Sequence, residues 1–212
     1  MSIFRKSKDN NLKKKLIVEV MKDFLEARMS VFEFLEIYKV NEDLRQLLIS
    51  DSLKDRKFQT YYDPEHLIQR ANLSRLRDRV EIFWAVKRYF TKNKISSMPK
   101  NADEEDFIFL TSIQPEWLDV SVEFLVELAN SAPAGMTKKD KSEWCKTRLK
   151  ELFIYENKPP KWLQNPEWPI KNGKPLVFRS QSAEDLDYSI SEIKYFFYDP
   201  KTNEVVFIEQ HD

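Results

Sequence analysis

The fold is decided by residues 158–181, which read KPPKWLQNPEWPIKNGKPLVFRSQ and are called the proline–tryptophan segment below. The segment holds five of the ten prolines, two of the five tryptophans and one of the two glycines. Apolar residues recur at helical spacing before it and at strand spacing after it. Because proline neither extends a helix nor donates to a sheet, the segment separates the two patterns. We predict an α+β fold: a bundle of about seven helices with a small C-terminal antiparallel β-sheet packed against it.

The helical part is expected to cover residues 1–158 of a single domain spanning residues 1–212. Ser30-Val31-Phe32-Glu33 has the S-x-x-E pattern of a capping box at the start of a helix. Asn41 has the residue type that caps a third helix. Asp63 followed by Pro64 marks the start of a central helix that runs to about residue 93, with a break near residues 72–74.

Two further helix boundaries follow from prolines. Pro115 is expected to open a helix from Glu116 to about Asn130. Thr137 has the residue type that caps the next helix, and the Pro159-Pro160 pair is expected to end it. We therefore expect the helical pattern to stop where the proline–tryptophan segment begins.

The C-terminal residues predict a β-hairpin. Residues 193–198 and 204–210 alternate at strand spacing on either side of Asp199-Pro200-Lys201-Thr202-Asn203, which has turn chemistry. Both faces of the first strand carry apolar or aromatic side chains, and a strand of that kind is usually covered on both sides. We expect residues 159–212 to form this hairpin together with the proline–tryptophan segment.

The composition argues against several kinds of chemistry. The 212 residues include only two glycines and two histidines, where average usage gives roughly 15 glycines. Loops that cradle phosphates need several glycines, so a P-loop or Rossmann nucleotide site is not expected. A histidine-rich metal site or a histidine-based triad has almost no histidine available. We therefore expect no catalytic residues, no cofactor and no metal.

Charge and hydropathy bound the partners and the compartment. The 35 basic and 35 acidic residues give a net charge of zero, so no overall field attracts nucleic acid or anionic lipid. A single cysteine, Cys145, excludes an internal disulfide and is expected to be a buried small apolar residue. The N-terminus lacks the apolar run of a signal peptide, and no window resembles a membrane span. We expect a cytoplasmic protein with no membrane partner; the sequence does not indicate an oligomeric state.

The proline–tryptophan segment is the first candidate site. Tryptophan is favoured at the centre of protein interfaces, so this segment can form a recognition surface, to which the acidic tail adds charge. Tryptophan and proline can equally clamp an irregular loop onto a core, and this second interpretation is favoured by the lack of regular structure. The candidate partner-binding residues are Trp162, Gln164, Glu167, Trp168, Glu184, Asp185 and Asp187.

A basic stretch supports an alternative function in nucleic-acid binding. Residues 64–100 contain nine Lys or Arg against three Asp or Glu, as expected for a face that contacts phosphates. Residues 181–212 have the opposite balance, with eight acids and two bases, and can neutralise it. The candidate residues for nucleic-acid binding are Arg75, Arg77, Arg79, Lys87 and Arg88.

Two quoted runs carry a family resemblance. PPKWLQNPEWPIKNGKPLVFRSQ, followed by YFFYDPKTNEVVFIEQ, resembles the C-terminal signature of a group of uncharacterised bacterial cytoplasmic proteins. The order EWP, GKPLVF, Q and FFYD is also similar to the YwqG-like family, whose other glycine-rich and proline-rich motifs are missing here. Members of the first group look like accessory proteins beside toxin or mobile-element genes, so the resemblance implies an immunity or interaction role.

Three functional hypotheses follow. The first is a non-enzymatic protein-binding protein, an immunity protein that neutralises a partner toxin. The second is a nucleic-acid-associated regulator that uses the basic helix at residues 64–94. The third is an enzyme with a carboxylate-based site, for which the sequence offers no acid and base at a meaningful spacing.

Overall fold

The structure, a computed structural model, describes residues 2–52, 64–182 and 192–211. It is α+β, as predicted. The helices of the described ranges are α1 (Ser2–Leu25), α2 (Val31–Val40), α3 (Glu42–Ser52), α4 (Pro64–Arg70), α5 (Leu76–Lys92), α6 (Ala102–Ser112), α7 (Val122–Asn130) and α8 (Lys138–Leu152). The strands are β1 (Ile170–Lys171), β2 (Lys174–Pro175), β3 (Val177–Gln181), β4 (Glu192–Tyr198) and β5 (Val205–His211).

The chain divides into two compact units, unit 1 from Met1 to Phe107 and unit 2 from Ile108 to Asp212. The single domain expected over residues 1–212 stays a prediction. Within the part of the chain that is described, none of the helices combines the length and apolarity that a membrane span requires.

The core of unit 1 is built by helices around α5. The buried face of this helix contacts α1, α2, α3 and α4, which makes it the central helix that the sequence predicts. Phe24 stacks on Phe34 with ring centroids 4.5 Å apart and meets the edge of Phe83 at 6.1 Å. Stacked and edge-to-face rings of this kind stabilise a core beyond the area they bury.

The helix starts in unit 1 follow the predicted capping chemistry. The Ser30 side chain accepts a hydrogen bond from the Glu33 N–H at 3.2 Å, and the Glu33 carboxylate accepts one from the Ser30 N–H at 2.8 Å. The Asn41 side chain accepts from the Leu44 N–H at 3.0 Å. The helical pattern also breaks between α4 and α5, as predicted. The predicted cap at Asp63 lies outside the described residues.

Unit 2 packs its helices and sheets around aromatic side chains. β3, β4 and β5 form an antiparallel sheet in the order β3-β4-β5, and β1 pairs with β2 in a separate two-stranded sheet. The predicted hairpin of β4 and β5 is confirmed, with Asn203 at the expected positive φ of 57°. The inward face of β4 presents Ile193, Tyr195 and Phe197, all fully buried.

The expectation that the outward face of the same hairpin is covered was wrong. Phe207 lies directly across from Phe196 and is 58% exposed, and Phe196 and Tyr198 are only half-buried, so this face is not covered to the extent that the sequence analysis expected. Both sides of β4 are apolar in sequence, but only one of them is packed against other described elements.

The two proline-based helix boundaries were also wrong. The helix expected from Glu116 begins at Val122, because the Ser121 side chain accepts from the Phe124 N–H at 3.2 Å and caps it there. The Gln114 side chain accepts from the Val120 N–H at 2.8 Å and holds the preceding turn. The next helix, capped by Thr137 as predicted, ends at Leu152 rather than at Pro159.

The early end of α8 comes from a short pairing with β3. The Phe178 N–H donates to the Ile154 carbonyl at 2.9 Å, and the Glu156 N–H donates to the Phe178 carbonyl at 3.0 Å. These bonds form a parallel bridge between Tyr155 and Phe178. Main-chain groups that bond a strand cannot continue a helix, so the chain leaves α8 before it reaches the prolines.

Candidate functional site

Trp168 occupies the centre of an aromatic cluster in unit 2. Its ring lies 5.5 Å from Trp117, 5.5 Å from Phe153 and 5.3 Å from Phe197, measured between centroids. Its indole N–H donates to the Leu176 carbonyl at 2.8 Å. Only 6% of its surface is exposed. Trp168 was predicted as a partner-binding residue, but its burial fits the alternative interpretation, in which tryptophan clamps the irregular segment onto the core.

Trp162 combines packing with partial exposure. Its ring lies 4.5 Å from Tyr195, and its indole N–H donates to the Trp117 carbonyl at 2.9 Å. The residue is half-buried, so part of it remains accessible. A tryptophan whose orientation is fixed in this way can meet a partner without losing further side-chain freedom.

Two polar side chains of the sheet hold the irregular chain between residues 161 and 165. The Tyr195 hydroxyl accepts from the Leu163 N–H at 2.7 Å and donates to the Lys161 carbonyl at 3.0 Å. The buried Gln210 accepts from the Gln164 N–H at 3.0 Å and donates to the Asn165 carbonyl at 2.9 Å. These bonds take the place that a regular ladder would fill.

The roles of Tyr195 and Gln210 were not predicted from the sequence. A signal was present, because the alternation of β5 places Gln210 on the same face as Ile208, a position where a polar side chain needs a buried partner. Burial also raises the pKa of the Tyr195 hydroxyl, although the Leu163 N–H bond opposes that shift. The hydroxyl therefore stays protonated and able to donate.

Three hollows follow this ordered chain, and neighbouring hollows share lining residues; together they are called the hollowed face. The first, of about 390 Å³, lies between residues 157–161 and β3. The second, of about 450 Å³, is lined by Trp117, Trp162 and Pro160, and shares Lys158 and Lys161 with the first. The third, of about 430 Å³, shares Gln164 and Pro166 with the second.

Most of the described partner-binding candidates line the hollowed face. Gln164 lines the second and third hollows, Trp162 lines the second and Glu167 lines the third. Trp168 supports the face from below and lines none of these three hollows. The acidic candidates Glu184, Asp185 and Asp187 lie outside the described residues.

The basic residues of α5 are largely occupied within unit 1. Arg79 makes a two-point contact with Asp103 at 2.8 and 2.9 Å, and this hydrogen bonding raises the pKa of Arg79. Lys87 pairs with Glu104 at 2.7 Å, and Arg77 pairs with Glu81 at 3.1 Å. Of the other two predicted residues, Arg75 precedes α5 and is exposed, and Arg88 lies within α5 and is half-buried. A cation that already pairs with a carboxylate attracts phosphate less strongly, so this helix offers nucleic acid a weaker site than its composition suggests.

A cluster of ionisable groups lies at one end of the three-stranded sheet. Ligand atoms of Glu192, Glu209 and His211 lie within 4.8 Å of one another, as three ligands of a metal ion do. However, Lys194 already reaches Glu192 at 3.3 Å and Glu209 at 3.2 Å, and these contacts raise the pKa of Lys194. The lysine supplies the positive charge that an ion would otherwise bring.

Cys145 has the packing role that the sequence analysis expected. It is fully buried in α8, and burial raises the pKa of its thiol, with a smaller opposing effect from Lys141. A thiol held in its protonated form is a poor nucleophile. This environment suits a core residue rather than a reactive one.

A scan against protein-family models finds no matching family, and searches of curated proteins and of solved structures find no match.

Proposed function

We propose that this protein works by binding another protein through the hollowed face, as an immunity protein binds the toxin that it neutralises. The observation that carries the proposal is the position of Trp162. It lies at the edge of an apolar hollow of about 450 Å³, where a partner side chain can enter. Aromatic residues that border such pockets are the ones on which binding energy concentrates.

The rigidity of the face supports the same proposal. Residues 161–165 form no regular ladder, yet the side chains of Tyr195 and Gln210 fix their main chain. A surface that is ordered before it meets a partner loses little entropy on binding. The segment resembles a group whose members look like accessory proteins beside toxin or mobile-element genes, and this resemblance implies the same class of function.

The test is capture of a partner by the full-length chain in the cells that make it, followed by binding of the two purified proteins. Glu116→Arg places a longer side chain of opposite charge at the second hollow, where Glu116 is exposed. We expect this variant to lose the partner by at least about tenfold in affinity, the loss that one disrupted central contact produces.

Glu127→Arg is the matched control, because it makes the same charge change on the exposed surface of α7, away from the hollows. A partner that binds both variants as tightly as the native chain would contradict the proposed face. For the immunity role, co-expression of the chain is expected to restore growth of cells that express the captured partner. A partner that is harmless when expressed alone would remove the immunity role.

A further inference from the structure

The first hollow is held open by the chain around it. Main-chain bonds attach Ile154 and Glu156 to Phe178 at one end, and the Gln181 side chain accepts from the Lys161 N–H at 2.8 Å at the other. Between these ends the chain passes through Pro159 and Pro160, which have no N–H to donate to β3. The loop therefore bows away from the strand, and a hollow of about 390 Å³ remains.

The described lining of this hollow carries only positive formal charge. Lys158, Lys161 and Arg179 contribute cations, and none of the described lining residues is an aspartate or glutamate. Asn157, Ser180 and Gln181 add polar groups that can donate to oxygen. Such a set of donors matches the oxygens of an anion.

Arg179 is oriented by an aromatic ring and pairs loosely with one carboxylate. Its guanidinium carbon lies 4.5 Å from the centroid of the Tyr198 ring, which orients the group by a cation–π contact. Among the described residues the guanidinium pairs with the Glu156 carboxylate at 3.5 Å, which is longer than the usual distance for a charge-assisted bond. An incoming carboxylate can therefore make shorter bonds with the guanidinium than Glu156 makes.

We propose that this hollow binds an acidic segment of the partner protein, with Arg179 and Lys158 pairing its carboxylates. The inference rests on the proposed function and extends it, because the second hollow adjoins the first through Lys158 and Lys161. The partner segment is then acidic where it meets Arg179 and carries an apolar side chain where it meets Trp162.

The test uses the full-length chain, labelled for amide NMR, and an acetylated, amidated hexaglutamate as the probe. We expect chemical-shift changes confined to the amides of Asn157, Lys158, Lys161 and residues 178–181. The Lys158→Gln/Arg179→Gln variant is expected to bind at least about tenfold more weakly, since it removes two charge-assisted contacts. The single variants Lys158→Gln and Arg179→Gln are compared with Lys139→Gln, the matched control, which likewise removes one exposed charge but from α8.

Three results would overturn the inference: changes spread over the whole surface, equal weakening by Lys139→Gln, or equal binding of inorganic phosphate at the same residues. The last would mean that the hollow takes a free oxyanion and not a peptide. Arg179→Gln, which changes a residue of the first hollow and not of the second, separates the two proposals in the partner assay. Loss of the partner with Glu116→Arg alone keeps protein binding and removes the acidic segment, whereas no loss with either variant removes the proposed face.

Discussion

The start of α2 and the proline–tryptophan segment are ordered by opposite means. The capping box at Ser30 and Glu33 uses partners three residues apart. Leu163, by contrast, finds its partner at Tyr195, 32 residues away, and Gln164 finds Gln210 after 46 residues. Local bonds can be recognised in a short stretch of sequence, whereas distant ones depend on the completed sheet. An irregular segment can therefore be as well ordered as a helix when side chains distant in sequence pair with its main-chain N–H and C=O groups.

The largest expected loss of stability comes from replacing Trp168, the residue at the centre of the aromatic cluster. Trp168→Ala empties the centre of the unit 2 cluster and leaves the Leu176 carbonyl without its donor. We expect the free energy of unfolding to fall by about 3–5 kcal/mol, as for other buried aromatic residues replaced by alanine. Urea unfolding measures the total, and hydrogen exchange with mass spectrometry assigns the loss to residues of unit 2.

Phe83→Ala is the comparison variant in unit 1, because Phe83 is fully buried in the regular helix α5. We expect it to lose about the same 3–5 kcal/mol, with the exchange changes confined to unit 1. A cost below about 1 kcal/mol for Trp168→Ala alone would mean that the proline–tryptophan segment is an accessory layer and not part of a core.

A smaller loss of stability is expected when the hydrogen bonds from Tyr195 to the proline–tryptophan segment are removed. Tyr195→Phe keeps the buried ring but removes the hydroxyl that bonds both Leu163 and Lys161. Leaving such groups unpaired costs about 1–3 kcal/mol, so we expect that loss in urea unfolding. The exchange protection of the Leu163 amide should fall with it.

Tyr198→Phe provides the control on the same strand. Its ring lies on the outward face and is half-buried, so loss of its hydroxyl should change the stability by no more than about 0.5 kcal/mol. Equal losses in the two variants would show that the Leu163 and Lys161 bonds are not what holds the irregular chain.

The sequence predicted the features that depend on neighbouring residues. The caps at Ser30, Asn41 and Thr137 and the turn ending at Asn203 follow from residue types within a few positions. The helical periodicity that follows Pro64 predicted a central helix, the second part of which is α5.

The features that the sequence did not predict depend on partners that are distant or unmarked. α7 begins late because Ser121 is a better cap than the chain near Pro115, and α8 ends early because Phe178 pairs with residues 154–156. The hollowed face was only partly predicted: Trp162, Gln164 and Glu167 were named, but Arg179 and Tyr198 meet only once β3 and β4 are paired. No spacing in one chain reveals such a meeting.

The smallest expected effect concerns the capping box at the start of α2 and its dependence on pH. The Glu33 carboxylate accepts from the N–H and the hydroxyl of Ser30, and these bonds lower the pKa of Glu33 from its ordinary value of about 4.5. A lowered pKa in the folded state means that the charged carboxylate stabilises the fold above about pH 4.5. This contribution is lost as the pH falls through the lower folded pKa.

We expect Glu33→Gln to lower the Tm at pH 7 and to approach the native Tm as the medium is acidified. Glu36→Gln removes the same charge one turn later, from a carboxylate that pairs with the exposed Lys39 at 2.6 Å, so its Tm at pH 7 should stay close to that of the native chain. A Tm difference for Glu33→Gln that stays constant down to pH 3 would mean that this cap depends on shape and not on charge, and the local bond would then need no ionised partner.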